Sequence, residues 1–236
     1  DQFNNPVAGV AVTFAVASGG GSVTGGTQST NAAGIAAVGS WTLGTTAGPN
    51  TLAASSGSLS PVSFTATGTT GTASSIAVNT GDGQTAAVGT AVAIAPAVIV
   101  RDQFGNPVAG VAVTFAVTAG GGSASATSVT TDASGIALTV WTLGTGVGSN
   151  TLTATAGALA GSPVSFNAIG TAAGGAQVAL EAGDGQTATV ATAVAIPPAV
   201  VVRDQFNNPV AGVAVTFAVT AGGGTLSPVT PVTTDA

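Results

Sequence analysis

One block of residues occurs three times, and its spacing limits the chain to a series of similar units. Residues 1–17 read DQFNNPVAGVAVTFAVA, residues 102–118 read DQFGNPVAGVAVTFAVT, and residues 204–220 read DQFNNPVAGVAVTFAVT. The blocks start at Asp1, Asp102 and Asp204. A second stretch repeats with them: residues 81–101 and 183–203 agree at 17 of 21 positions. A period of about 100 residues is a whole domain, longer than the 20–50 residue units of solenoids and propellers. The chain therefore divides into the latter part of one repeat at 1–73, a complete repeat at 74–173, and the opening part of a third at 174–236.

Within a period the apolar residues recur every second position. Val111, Val113, Phe115 and Val117 face one way, and Ala112, Thr114, Ala116 and Thr118 the other, as in a strand half buried in a sheet. Leu152, Ala154 and Ala156 alternate with threonines, and Val164, Phe166 and Ala168 repeat the pattern. Turn residues separate these runs: Gly105, Asn106 and Pro107 after one, and Asp132 to Gly135 after another, with Asp and Gly at the ends of a type I turn. No helical period appears. The spacing predicts an all-β fold of tandem immunoglobulin-like sandwiches with roughly seven strands per repeat. Strands are expected to begin near Ser75, Thr85, Ala97, Val111, Ser125, Ile136, Thr151 and Val164, the first two forming one broken strand. Phe115, Phe166 and Trp141 are the expected core aromatics. Ile35 stands six residues before Trp41 but Ile136 only five before Trp141, so a β-bulge is expected at Gly39 and Ser40 to keep both Trp on one face.

What the chain lacks excludes most chemistry. It has no Cys, His, Met, Tyr or Lys. Imidazole, thiolate and amine chemistry are therefore absent, and with them the His-dependent relays, Cys nucleophiles, ordinary zinc sites and Schiff bases. No enzyme activity and no cofactor are expected. Charged residues are 4% of the chain, against about 25% in ordinary domains. The only cations are Arg101 and Arg203 in a net charge of −6, so nothing could neutralise a nucleic-acid backbone. The most apolar run, residues 91–100, is broken by Pro96 and falls short of the ~18 residues of a membrane helix, so no membrane span is expected.

The run GDGQTAAVGTAVAIAPAVIVRDQFGNPVAGVAVTFAVTAGGG, followed by TTDASGIALTVWTLGTGVGSNTLTATAG, resembles the bacterial immunoglobulin-like domain of group 1, the repeat of the intimin and invasin adhesins. The resemblance covers the whole chain in one complete and two partial copies. It implies an extracellular, cell-surface, rod-like array, and it names no ligand.

Individual motifs are weaker. Gly19 to Gly21, Gly120 to Gly122 and Gly222 to Gly224 follow strands and precede neither a helix nor a Lys, so they read as loops rather than phosphate cradles. Asp82, Glu181 and Asp184 are the candidates for a Ca²⁺ site near a repeat junction, against the plain alternative of tight turns, because Ca²⁺ needs six to eight oxygens. Arg101 and Arg203 are expected either to bridge to a neighbouring carboxylate or to end their strands in solvent. Trp41 and Trp141 fit a core or interface better than a sugar-stacking platform. The expected function is structural: a stalk, fibre or matrix filament whose partners are neighbouring repeats and other copies. The alternative is an adhesin module that grips a host protein, surface receptor or glycan with its sandwich-end loops. Ala236 aligns with Ala133, so a continuous array is expected in preference to head-to-tail strand donation.

Overall fold

The alternation read in the sequence is realised as burial. In a computed structural model describing residues 1–227 and 231–235, Ala112–Ala119 turns Val113 and Phe115 inward, and Val164–Thr171 turns Val164, Phe166 and Ala168 inward. Between them Gly148–Thr155 buries Asn150, Leu152 and Ala154. These three strands are the centre of a five-stranded sheet, in the order Ser128–Thr130, Ala112–Ala119, Gly148–Thr155, Val164–Thr171 and Gln84–Ala87. Its pairs are antiparallel except the last, which is parallel. A three-stranded sheet of Ile136–Leu138, Ala97–Asp102 and Ala73–Thr80, and a pair of Gly122–Ala124 with Trp141–Leu143, complete the middle repeat. Val98, Val100, Phe115, Trp141, Leu152 and Phe166 are all at most 1% exposed. Every regular element among the described residues is a strand, and the all-β expectation holds. Residue 236, on which the alignment with Ala133 depends, lies outside the described residues.

The middle repeat has ten short strands where about seven were expected. The difference has local causes. The Gly81–Asp82–Gly83 turn sends the chain from one sheet to the other, so the expected broken strand is two strands, Ala73–Thr80 and Gln84–Ala87, with Gly81 at φ +86°. The Ile136–Trp141 run is also split. Its Thr139, 1% exposed, donates its backbone N–H to the Pro96 carbonyl, while its hydroxyl donates to the Ala126 carbonyl and accepts from the Ala126 N–H. That side chain takes the place of a ladder bond at the residue where the chain changes sheets.

The expected bulge at Gly39 and Ser40 is not formed. Ser40 pairs with Thr24 in unbroken register through Trp41, Thr42 and Leu43. Trp41 lies opposite Val23, as Trp141 lies opposite Ala124. The extra residue of the first copy is taken up in residues 35–39, which are not strand and therefore have no register to disturb.

The described chain falls into two compact units, one of residues 1–76, 99–111 and 131–136, the other of residues 77–98, 112–130 and 137–236. In the first unit, Thr27–Ser29, Ala11–Ser18, Gly48–Ser55 and Val62–Gly68 form a sheet, with Gly21–Thr24 paired to Ser40–Leu43. Phe14 and Leu52 are the buried apolar side chains of that sheet, and the Phe14 and Phe64 rings lie 6.4 Å apart. In the second unit the third repeat contributes two antiparallel pairs, Gln177–Ala182 with Ala199–Arg203 and Ala214–Val215 with Val232–Thr233.

Phe166 is wholly buried in the middle repeat, whereas Phe104 on a turn is 56% exposed. Phe166→Ala is expected to cost about 3–5 kcal/mol of stability, and Phe104→Ala under about 0.5 kcal/mol. Urea unfolding monitored by tryptophan fluorescence reads both.

Candidate functional site at the repeat joint

The block that recurs three times opens on an Asp, which ends the strand Ala97–Asp102 and directly follows the strand Ala199–Arg203, and places an Asn four residues later. The structure shows what that spacing does. Asp102 Oδ1 accepts the N–H groups of Phe104 and Asn106, both at 2.9 Å, so the carboxylate closes its own turn. Asp102 Oδ2 accepts the Asn106 Nδ2 at 2.9 Å and, from the preceding repeat, the Gly71 N–H at 2.9 Å. Asn106 reaches further back. Its Nδ2 donates to the Thr45 carbonyl at 2.8 Å, and its Oδ1 accepts the Ala47 N–H at 2.9 Å.

The same set forms one repeat later. Asp204 accepts from the Phe206 and Asn208 N–H groups at 2.8 and 2.9 Å and from the Ala173 N–H at 3.0 Å. Asn208 Nδ2 donates to the Thr145 carbonyl at 2.8 Å, and its Oδ1 accepts the Val147 N–H at 3.4 Å. The residue between Phe and Asn has positive φ in both turns, Gly105 at 84° and Asn207 at 71°. Asn tolerates that left-handed backbone better than other side chains do.

Phe206 adds an apolar contact at the second joint. A Cβ on Gly89, at φ +72°, would come within 2.7 Å of the Phe206 ring, so the ring sits where only glycine leaves room. Both arginines close their own turns, and among the described residues neither bridges to a carboxylate: Arg101 Nη1 donates to the Gly105 carbonyl at 2.6 Å and Arg203 Nη1 to the Asn207 carbonyl at 3.0 Å.

The electrostatics follow from the donors. The Asn106 side chain, helped by the Gly71, Asn106 and Phe104 N–H groups, lowers the Asp102 carboxyl from 3.8 to about 2 against the opposing effect of burial. For Asp204 burial is the largest influence and pushes upward, but the Asn208 side chain and the Ala173, Asn208 and Phe206 N–H groups together outweigh it and hold the group at about 2.

The other sequence candidates lie elsewhere. Asp82 Oδ1 accepts the Asn167 N–H at 2.8 Å, which pins the Gly-Asp-Gly turn to the last strand. Glu181 lines an open cavity of about 640 Å³ with apolar residues that include Val202 and Phe217. Asp184 is exposed on its turn. No group of three or more potential metal ligands gathers among the described residues, so these three acids are not brought together. Trp141 is fully buried and has no face to offer a sugar, and Trp41 is half-buried; the indole N–H of each is without a partner.

Sequence reasoning missed Gln84 and Gln186. Gln84 Nε2 donates to the Gly81 and Ile94 carbonyls while its Oε1 accepts the Ile94 N–H, and Gln186 does the same with Gly183 and Ile196. The signal was present, since GDGQ recurs, but its partner lies ten residues on.

With this geometry in hand, comparison with known proteins gives one family. Residues 75–169 match the bacterial Ig-like domain (group 1). No curated protein matches the chain. Among solved structures, the Escherichia coli adhesin FdeC is 20% identical with a TM-score of 0.57, over 95% of this chain and 73% of that one. InvD of Yersinia pseudotuberculosis is 19% identical with a TM-score of 0.51, over 91% of this chain and 65% of that one. The D0-D1 domain of intimin is 25% identical with a TM-score of 0.32, over 71% of this chain and 83% of that one.

Two outcomes are expected at the joints. Because both carboxyls are lowered from 3.8 to about 2 in the folded chain, their stabilising contribution is present above about pH 4 and is lost as pH falls toward 2. The urea midpoint should drop over that window, and drop less in the Asp102→Asn/Asp204→Asn variant. Gly89→Val places a side chain where Phe206 lies and requires a left-handed Val. Proteolysis between the middle and third repeats should accelerate several-fold.

Proposed function

We propose that the chain, whose residues 75–169 match the bacterial Ig-like domain (group 1), is a load-bearing stretch of a bacterial surface protein, outside the cell and without a catalytic role. In this reading residues 74–173 are its one complete repeat, flanked by parts of two others. One observation carries the proposal: Asn106 and Asn208 each fasten a repeat to the loop of the repeat before it, with equivalent atoms in both places. A joint of directional hydrogen bonds between polar groups and a Phe resting on glycine resists bending, whereas a Gly/Ser linker would behave as a flexible coil. Repetition of one joint gives a series in which each repeat meets only its neighbours, so reach grows with repeat number.

Surface placement is supported by the family and by the description of FdeC as an adhesin. The adhesive alternative has less behind it. Binding patches concentrate aromatic residues and Arg, while the loop residues 44–48 and 144–148 are Gly, Thr, Ala and Val.

Solution scattering on the chain tests the reading. An extended, rod-like distance distribution that lengthens by a constant increment when a further repeat is added is the expected result. A compact particle, or saturable binding to a glycan or host-cell surface that is lost with loop substitutions, would favour a different function.

A further inference from the structure

The joint holds only if the loop that Asn106 or Asn208 grips keeps its shape, and residues 44–47 and 144–147 of that loop are not strand. Residues 144–148 present the two gripped groups, the Thr145 carbonyl and the Val147 N–H. One buried polar side chain touches both ends of this loop. Asn150, 1% exposed, accepts the Gly144 N–H on Oδ1 at 3.2 Å and donates from Nδ2 to the Gly148 carbonyl at 3.1 Å. Asn50, also 1% exposed, does the same for residues 44–48, with Gly44 at 3.2 Å and Gly48 at 3.1 Å.

The glycines around this side chain leave room for it. A Cβ on Gly120 would come within 2.5 Å of Asn150 Cγ and 2.8 Å of its Cα, and a Cβ on Gly170 within 3.3 Å of Nδ2. Gly19 stands against Asn50 at the same 2.5 and 2.8 Å. This explains the glycine runs at residues 19–21 and 120–122: their first glycine, in the left-handed region at φ +84° and +80°, lets the chain pass directly over the Asn. Gly148 carries φ +114°, and the open turn it ends would have many alternatives without a tie across it.

We propose that Asn50 and Asn150 are the positioning residues of the joints: each braces the receiving loop through hydrogen bonds made inside its own repeat, and so sets how firmly the following repeat is held. The proposal rests on the reading of the joint as a stiff coupling. It assigns joint stiffness to a residue buried inside the preceding repeat, so that a change within one repeat alters the freedom of the next.

The test uses the full chain with spin labels on Ser128→Cys and Ala188→Cys, in the middle and third repeats, together with amide hydrogen exchange. Asn150→Ala should broaden the inter-label distance distribution at least two-fold and speed exchange of the Val147 amide tenfold or more, while the Leu152 and Ala154 amides of the same repeat stay protected. Asn150→Asp keeps the acceptor for Gly144 and nearly the same volume, loses the donor to Gly148, and should give an intermediate width; it serves if Asn150→Ala does not fold. A folded variant with unchanged distribution and unchanged Val147 exchange overturns the brace. Asn208→Ala separates the two claims: if it too leaves the distribution narrow, the coupled joint itself is wrong; if it broadens the distribution while the Asn150 variants do not, only the brace fails.

Discussion

A carboxylate that keeps every one of its acceptor sites occupied is the constraint on which the joints depend. Asp102 and Asp204 are 3% and 0% exposed, and burying an ionised group is tolerable only where hydrogen bonds replace water. Each finds two donors in its own turn, one in the Asn side chain four residues on, and one in the backbone of the preceding repeat. The last of these is decisive. It makes the solvation of a charge in one repeat conditional on the presence of the repeat before it. The Asn then extends the same network to a loop about 60 residues back in sequence.

This arrangement suits a chain with almost no surface charge. Exposed ion pairs contribute little in any case, and here the two arginines spend their donors on their own turns. Cohesion between repeats rests on neutral amides, on the Phe206 ring over Gly89 and on two buried carboxylates, which salt screens far less than exposed charges. Gln84 at the sheet-switching turn and Asn150 beneath the receiving loop apply the same device. In each case a side-chain amide uses both its donor and its acceptor to fix a segment that no ladder holds.

Much of the fold could be read from period and pattern. The alternation of Val113 and Phe115 with threonine and alanine gave the inward face correctly, and the 101- and 102-residue spacings mark where the same Asp–Asn turn recurs, at Asp102 and at Asp204. The strand break at Thr139 was not legible, because Thr139 is as good a strand former as its neighbours and only its hydroxyl, bonded to Ala126, shows that the chain leaves one sheet there. The bulge at Gly39 and Ser40 failed for a related reason: a counting argument assumes a continuous strand, and residues 35–39 are not one. The joint was half legible. Asn and Pro announced a turn, but Thr45, Ala47 and Gly71 are unremarkable residues, and only folding brings their backbone groups to Asn106 and Asp102. The glycine runs were read as loops, which holds for Gly19, Gly20, Gly120 and Gly121 but not for Gly21 and Gly122, which open strands. Their reason, the close passage over Asn50 and Asn150, was not seen.

The central claim is that consecutive repeats are energetically coupled through the Asp–Asn turn. Trp141, fully buried in the middle repeat, reports that repeat's unfolding once Trp41 is replaced by Phe. In that background, Asn208→Ala changes a residue of the third repeat only. If the account is right, the urea midpoint reported by Trp141 falls although the middle repeat's own sequence is untouched. An unchanged midpoint would mean that the repeats fold as independent neighbours, and would contradict it.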